Sequence, residues 1–486
     1  MKKVIFCAVA LMMGAVGLAQ TTPVAPSAPA NAQALTPMAP APATANMSHS
    51  IQNGNDNKVA VTQIGTSQGA YSDQDNGSGL GFNQARILQT GNVSASSGVA
   101  NMAEVYQRGT GNQSTQAQYG DYNESLVRQG SSNNSSLGNR ALAQQGNAAA
   151  QNGQGNQLQI DQDGNGNQAR TQQRFDNNDA LTDQDGDLHY ADVWQRANPN
   201  GSDGHAAHID QDGLGNDAWV RQDGLGERNE ASSLQDGTGN YSWQEQYSTT
   251  TAGADPYANN ALVAQGTNTG NAMTVVIDSD MNTNVDSYHV GINTTSNYNK
   301  AFQFQNGGNF NDVASFQRGT SNYSEQHQDG AGNEALVVQS FYDPSALTGL
   351  NYAKQTQDGD NNQAGIGQNG YLNRALQSQI GDGNKALSTQ QGHDNDVNIH
   401  QRGDMNSATS AQRAACNDIL IVQYDGQSAS VEQNLTGGLG NNTANIYQSG
   451  PDGGGGAINC GFDPQLPMTP RNPIPVFNIP DVCPGC

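Results

Sequence analysis

Charge, aromatic rings and long apolar runs are all scarce in this chain. Charged residues fill only 13% of its 486 positions and aromatics 6%. Hydrophobic residues reach 34%, where globular domains carry roughly 45–50%. That deficit excludes three thick-cored domains, which the length alone would suggest at ~150 residues each. The interior has no run of ~18 apolar residues, so membrane insertion of the body is excluded. Basic residues are also few: 20 Lys and Arg face 44 Asp and Glu, a net charge of −24. An acid excess of that size argues against nucleic acid and anionic membranes as partners. Nucleophile elbows, phosphate loops and ordered Ser-His-Asp sets are missing, so neither an enzyme nor a cofactor is expected. Glycine is abundant instead, with 58 residues, and neutral Asn, Gln, Ser and Thr fill much of the remainder.

The chain divides into four segments by composition. Residues 1–19 read as a signal peptide: Lys2 and Lys3, an apolar core from Val4 to Val16, then small residues before a cut after Ala19. Residues 20–48, rich in Pro, Ala and Thr, read as a flexible linker. Residues 49–448 are repetitive. Residues 449–486 form a Pro/Gly-rich tail carrying cysteines, expected to act as a cap or a fibre contact because proline cannot join a ladder.

Within the repetitive segment, glutamines recur every eleventh position, as at Gln107, Gln118 and Gln129, or from Gln357 to Gln423 without a break. The unit is Asn-x-Ala-x-x-x-Gln-x-Gly-x-x, present about thirty times. An eleven-residue period also fits a right-handed coiled coil, but glycine at a fixed offset costs a helix ~1 kcal/mol each time. Inside each unit the period is two: Asn156, Leu158, Ile160 and Gln162 alternate with polar neighbours. That pattern is a strand and a tight turn. The fold class is therefore all-β, a β-solenoid whose rungs of about 22 residues each hold two units, stacked ~4.8 Å apart in about 15 rungs. Inward amides are predicted to bond to identical amides above and below. The predicted ladder residues include Asn112, Gln118, Asn123, Gln129, Asn156, Gln162, Asn167 and Gln173 in one run. A second run holds Asn362, Gln368, Asn373, Gln379, Asn384, Gln390, Asn395, Gln401, Asn406 and Gln412. Positive φ at the turns is assigned to Gly109, Gly120, Gly164, Gly186, Gly213, Gly224, Gly359, Gly370, Gly381 and Gly403.

These recurring positions resemble the curlin repeat, the unit of the extracellular curli fibres of Gram-negative bacteria. The resemblance covers about 48–448. It implies a secreted subunit that passes through a curli-type outer-membrane channel and self-assembles on a nucleator or minor subunit. The implied product is an amyloid fibre, fimbrium-like, for adhesion and biofilm matrix at the cell surface. By matching position it gives ladder roles also to Gln63, Asn83, Gln89, Asn442 and Gln448. The chain departs from the plain repeat by its length, by its tail and by insertions near 198–204, 248–259, 278–298 and 341–350. The alternative reading is a monomeric β-solenoid adhesin or weak cation-binding surface protein.

Three further constellations bear on these readings. Asp161, Asp163 and Asn165 match half of a calcium loop, but Gln172 stands where a bidentate Glu is needed, so Asp-Gly turn chemistry is the stronger reading. Stacked aspartates are expected to repel and to slow premature assembly. Cys416, Cys460, Cys483 and Cys486 are disulfide candidates with three possible connectivities. His189 and His205 replace Asn in their units and read as ladder substitutions. Trp194, Trp219 and Trp243 fall on the outward face by parity, read as scattered surface aromatics.

Overall fold

A computed structural model describes residues 45–449 except 78–80, 91–100, 131–135, 147–152, 198–203, 225–227, 249–256, 267–272, 279–284, 291–295, 309, 340–348 and 435–439. The signal-peptide, linker and tail assignments, and Cys460, Cys483 and Cys486, lie outside the described residues.

Alternation decides the architecture. Strand Gln157–Asp163 buries Leu158, Ile160 and Gln162 and turns Asp161 and Asp163 outward. The next strand, Gln168–Arg174, likewise buries Ala169, Thr171 and Gln173. A pair of such strands makes one rung, and each strand then pairs in parallel with the strand one rung on. Gln157–Asp163 pairs with Asp179–Asp187 and Gln168–Arg174 with Tyr190–Arg196, both with a residue offset of 22. Repetition yields two facing sheets, each with fifteen strands in its main path. The chain is an all-β solenoid of parallel stacked strands, and among the described residues there is no helix. The core between the sheets is thin: Ala, Val and Ile alternate with Ser, Asn and Gln, and Ser315 Oγ meets Ser324 Oγ across the gap at 2.6 Å.

Insertions leave the stack intact. The strand Tyr241–Ser248 pairs with Lys300–Gly307, and Tyr257–Gln265 with Asn311–Gln317. Between them an antiparallel pair, Met273–Asp278 and Val285–Val290, stands outside both sheets. This is the segment where the repeat fades in the sequence. The rungs on either side pair in register because each terminal strand still offers a full set of backbone donors and acceptors.

Turns hold two left-handed residues, not one. The glycine two places after each ladder Gln has φ between +83° and +123° at Gly109, Gly120, Gly164, Gly186, Gly213, Gly359, Gly370, Gly381 and Gly403. Gly186 is doubly constrained, since a Cβ there would meet Gly213 O at 2.1 Å. Gly224 departs from the expectation of positive φ. It ends strand Asp217–Gly224, and a Cβ would sit 1.9 Å from Ser248 Oγ, so close approach of the next rung is what requires glycine. The second left-handed slot, just before the ladder Asn, was not anticipated. It holds Tyr122, Leu188, Leu372 and Met405 at φ between +57° and +61°, and in other turns glycine, as at Gly166 and Gly383. The recurring Gly-x-Gly of the sequence is its trace.

Candidate assembly surface: amide ladders and end rungs

Glutamine in each unit faces the gap, where a lone buried amide would be costly. In one sheet, fifteen glutamines from Gln52 to Gln433 form a single chain of side-chain bonds. Each Nε2 donates to the Oε1 one rung later: Gln52, Gln74, Gln107, Gln129, Gln162, Gln184, Gln211, and onward to Gln433. The other sheet carries the same chain from Gln63 through Gln118, Gln173, Gln379 and Gln401 to Gln448. The second amide hydrogen crosses the gap: Gln173 Nε2 reaches Gln157 O at 2.8 Å. Every ladder glutamine between the two end rungs thus has a donor and an acceptor role, and the amides tie the two sheets together.

Asparagines line the turns by a different bond. Asn178 N–H and Nδ2 both donate to Asn156 Oδ1 at 2.9 Å. Asn123 bonds in the same way to Asn101, and Asn384 and Asn406 to Asn362 and Asn384. Asn167 and Asn112 accept from the backbone N–H of the next rung, and Asn373 and Asn395 continue the column. Two such columns run along the stack, and His189 takes a place in the one through Asn167 and His205 in the one through Asn178, each 1% exposed. His205 N–H donates to Asn178 Oδ1, while His205 Nδ1 accepts from Asn229 N–H.

A second glutamine ladder escaped sequence reading. Gln244, Gln303, Gln326 and Gln355, each two places before an anchor, donate in turn along one sheet at 2.9–3.1 Å, and the series ends on Gln377 as acceptor. The signal was Gln-x-Gln, hidden because apolar residues usually fill that slot.

The outer faces differ in character. On one sheet Asp161, Asp183 and Asp210 stack in register beside Asp163, Asp185, Asp212 and Asp236. Desolvation, followed by the neighbouring carboxylates, pushes Asp183 up to about 7 and Asp210 up to about 6. The calcium-loop trio is dispersed among other partners. Asp161 accepts from Gln159 and Arg128, Asp163 accepts from Gly164 N–H, and Asn165 turns to Asp187. Carboxyls raised in the folded state favour folding when protonated, so their contribution weakens as pH climbs from about 4 to about 7. The paired change Asp183→Asn and Asp210→Asn is expected to raise the urea midpoint at pH 8 and leave it near wild type at pH 4. Because Asp183 is exposed, solvent screening holds the gain to about 1 kcal/mol.

On the other sheet the aromatics gather instead of scattering. Tyr190, Trp219 and Trp243 contact in series at 4.9 and 5.8 Å. Tyr241, Phe302, Tyr323 and Tyr352 continue at 5.1–5.4 Å. Arg221 lies 5.0 Å over the Trp194 ring. Parity placed the tryptophans outward; only rung register shows that they are neighbours.

Among the described residues, strands Met47–Asn53 and Lys58–Ile64 begin the sheets and Ser428–Gln433 and Thr443–Gln448 finish them, and no described strand pairs with the outer edge of any of the four. Val59 and Val61 at the first end, and Ala444 and Ile446 at the last, are only partly covered. Among the described residues, Gln448 Nε2 at the finishing end donates to Ser428 O and to no further glutamine, while Gln52 begins its ladder with its acceptor side outermost.

The family model for the curlin associated repeat matches residues 98–130 and 392–424. These stretches hold the strands Met102–Arg108, Gln113–Asp121 and Glu124–Gln129, and Asp396–Arg402, Ser407–Ala415 and Asp418–Tyr424. No curated protein matches the chain. The curlin associated repeat is thus recognised at two distant places along one continuous ladder.

Proposed function

We propose that this chain is a secreted subunit that polymerises head to tail into curli-type amyloid fibres used for adhesion and matrix building. One observation carries the reading: the glutamine ladders have a direction, and the two ends complement each other. The finishing rung presents amide donors from Gln433 and Gln448, and the starting rung presents the acceptor side of Gln52 and Gln63. Strand edges that no described strand pairs, and partly covered Val59, Val61, Ala444 and Ile446, lie beside them. A second copy stacked in the same sense would extend both sheets and both ladders and cover those apolar groups, which is strand addition at an open edge. The fold is structural in character, with its polar groups committed to ladders. Export, the outer-membrane channel and a nucleating partner belong to the same reading and rest on the repeat family.

The test is growth and diffraction of the purified chain beginning at Gln20. Dye-binding growth after a lag, yielding fibres with a meridional reflection at ~4.7–4.8 Å, is the expected result. A species that sediments as a monomer for days at assembly concentration sinks the proposal and leaves the monomeric adhesin.

A further inference from the structure

We propose that His393, Asp394 and Cys416 form a binding site for a divalent metal ion of the zinc class on one turn edge of the solenoid. Their donor atoms all lie within 4.8 Å of one another, the one such group among the described residues. His393 and Asp394 are consecutive, with Nδ1 and Oδ2 3.1 Å apart. Cys416 belongs to the turn one rung on, and its N–H donates to His393 O at 3.0 Å, which fixes the two turns against each other.

The stacked turns explain why three residues distant in a linear motif converge. Asp394 and Cys416 hold the same left-handed slot on successive turns, at φ +54° and +59°. One rung earlier that slot carries Leu372, so along this edge the succession of ligating side chains starts at Asp394. The imidazole stacks on Tyr371 at 4.9 Å and 13°, which restricts its rotation. Among the described residues Cys416 has no disulfide partner, and it is only partly covered; His393 and Asp394 also keep much of their side chains in solvent, so an ion has a path in.

The donor set chooses the ion class. One imidazole nitrogen, one carboxylate oxygen and one thiolate suit zinc, whose sites with three protein ligands keep a fourth position for water. Calcium and magnesium prefer oxygen alone, and the sulfur disfavours them. Ion-to-donor distances of about 2.0–2.3 Å are reached by side-chain rotation from the present spacing. Metal binding would clamp two turns next to the finishing rung. The site is independent of polymerisation.

The test titrates cobalt, as a spectroscopic stand-in for zinc, into the reduced chain beginning at Gln20, with Cys460, Cys483 and Cys486 changed to serine. Expected is a thiolate-to-cobalt charge-transfer band that zinc abolishes. Cys416→Ser should remove it, and His393→Ala should weaken binding by ~10-fold or more. Zinc should also slow alkylation of Cys416 in the natural chain and not in His393→Ala. Unchanged urea midpoints without metal check that the variants fold. A band that survives Cys416→Ser, alkylation indifferent to zinc, or Cys416 found in a disulfide with the tail overturns the site.

Discussion

Replacing Gln173 by glutamate is expected to cost about 3–5 kcal/mol, measured as the shift in urea midpoint at pH 7.5. The two side chains match in shape, so packing is preserved and only the donor is lost. Gln173 is fully buried and its Nε2 faces Gln157 O, Asn178 O and Gln195 Oε1 at 2.8–3.0 Å. A carboxylate would meet three acceptor oxygens with nothing to donate to them. Gln145 Nε2 would still donate to it, which offsets little of a buried charge. The neighbouring change Gln172→Glu is the control. Gln172 lies on the outward face of the same strand, so its effect should stay within about 0.5 kcal/mol. Equal effects at the two positions would show that the amides are not what holds the rung. Because each rung touches only its neighbours, the loss should be local and should add to that of a second ladder substitution many rungs away.

Much of this architecture is written in the sequence because one unit is repeated so often. Period two within a unit and period eleven between units each recur, so the strand, the turn and the inward glutamine could be read without coordinates. What depends on rung register was harder to read. Gln246 bonds to Gln305 across 59 residues, and the insertion between them erases the period that would announce the pair. Parity places the tryptophans on a face, yet whether Trp219 meets Trp243 depends on which strands pair. The Gln-x-Gln ladder was masked by the Val and Ile that usually occupy its slot. Leu372 and Met405 adopt positive φ because the stacked backbones above and below dictate the turn, a demand their side chains do not advertise. Gly224 shows the converse, a glycine at the repeat position kept for the approach of Ser248 and not for its φ.

Histidine in the asparagine column should make the stack acid-labile, and His205→Asn should relieve it. Burial, reinforced by Arg228 and opposed by the bond to Arg196 O, pushes the His205 imidazole down to about 4. Geometry gives the same answer: with Nε2 at 3.0 Å from Arg196 O, Nδ1 must stay bare to accept Asn229 N–H at 3.2 Å. A proton on Nδ1 would set two donors face to face. A histidine that titrates near 6.5 when unfolded and near 4 when folded leaves stability untouched above pH 6.5 and reduces it as pH falls through that window. Between pH 7.5 and 4.5 the wild type should lose about 2–3 kcal/mol more than His205→Asn. Asparagine keeps an acceptor at every pH, as Asn156 does for Asn178 N–H. His208, also lowered to about 4, is common to both proteins and cancels in the comparison. His189→Asn should help less, because Asp185 O, Asp212 and Asp187 oppose the downward push on that ring. The aspartate columns act with the opposite sign over an overlapping range, so the histidine effect is to be read as the difference between variants at each pH. A difference that stays flat from pH 7.5 to 4.5 would mean that Nδ1 of His205 is not the acceptor.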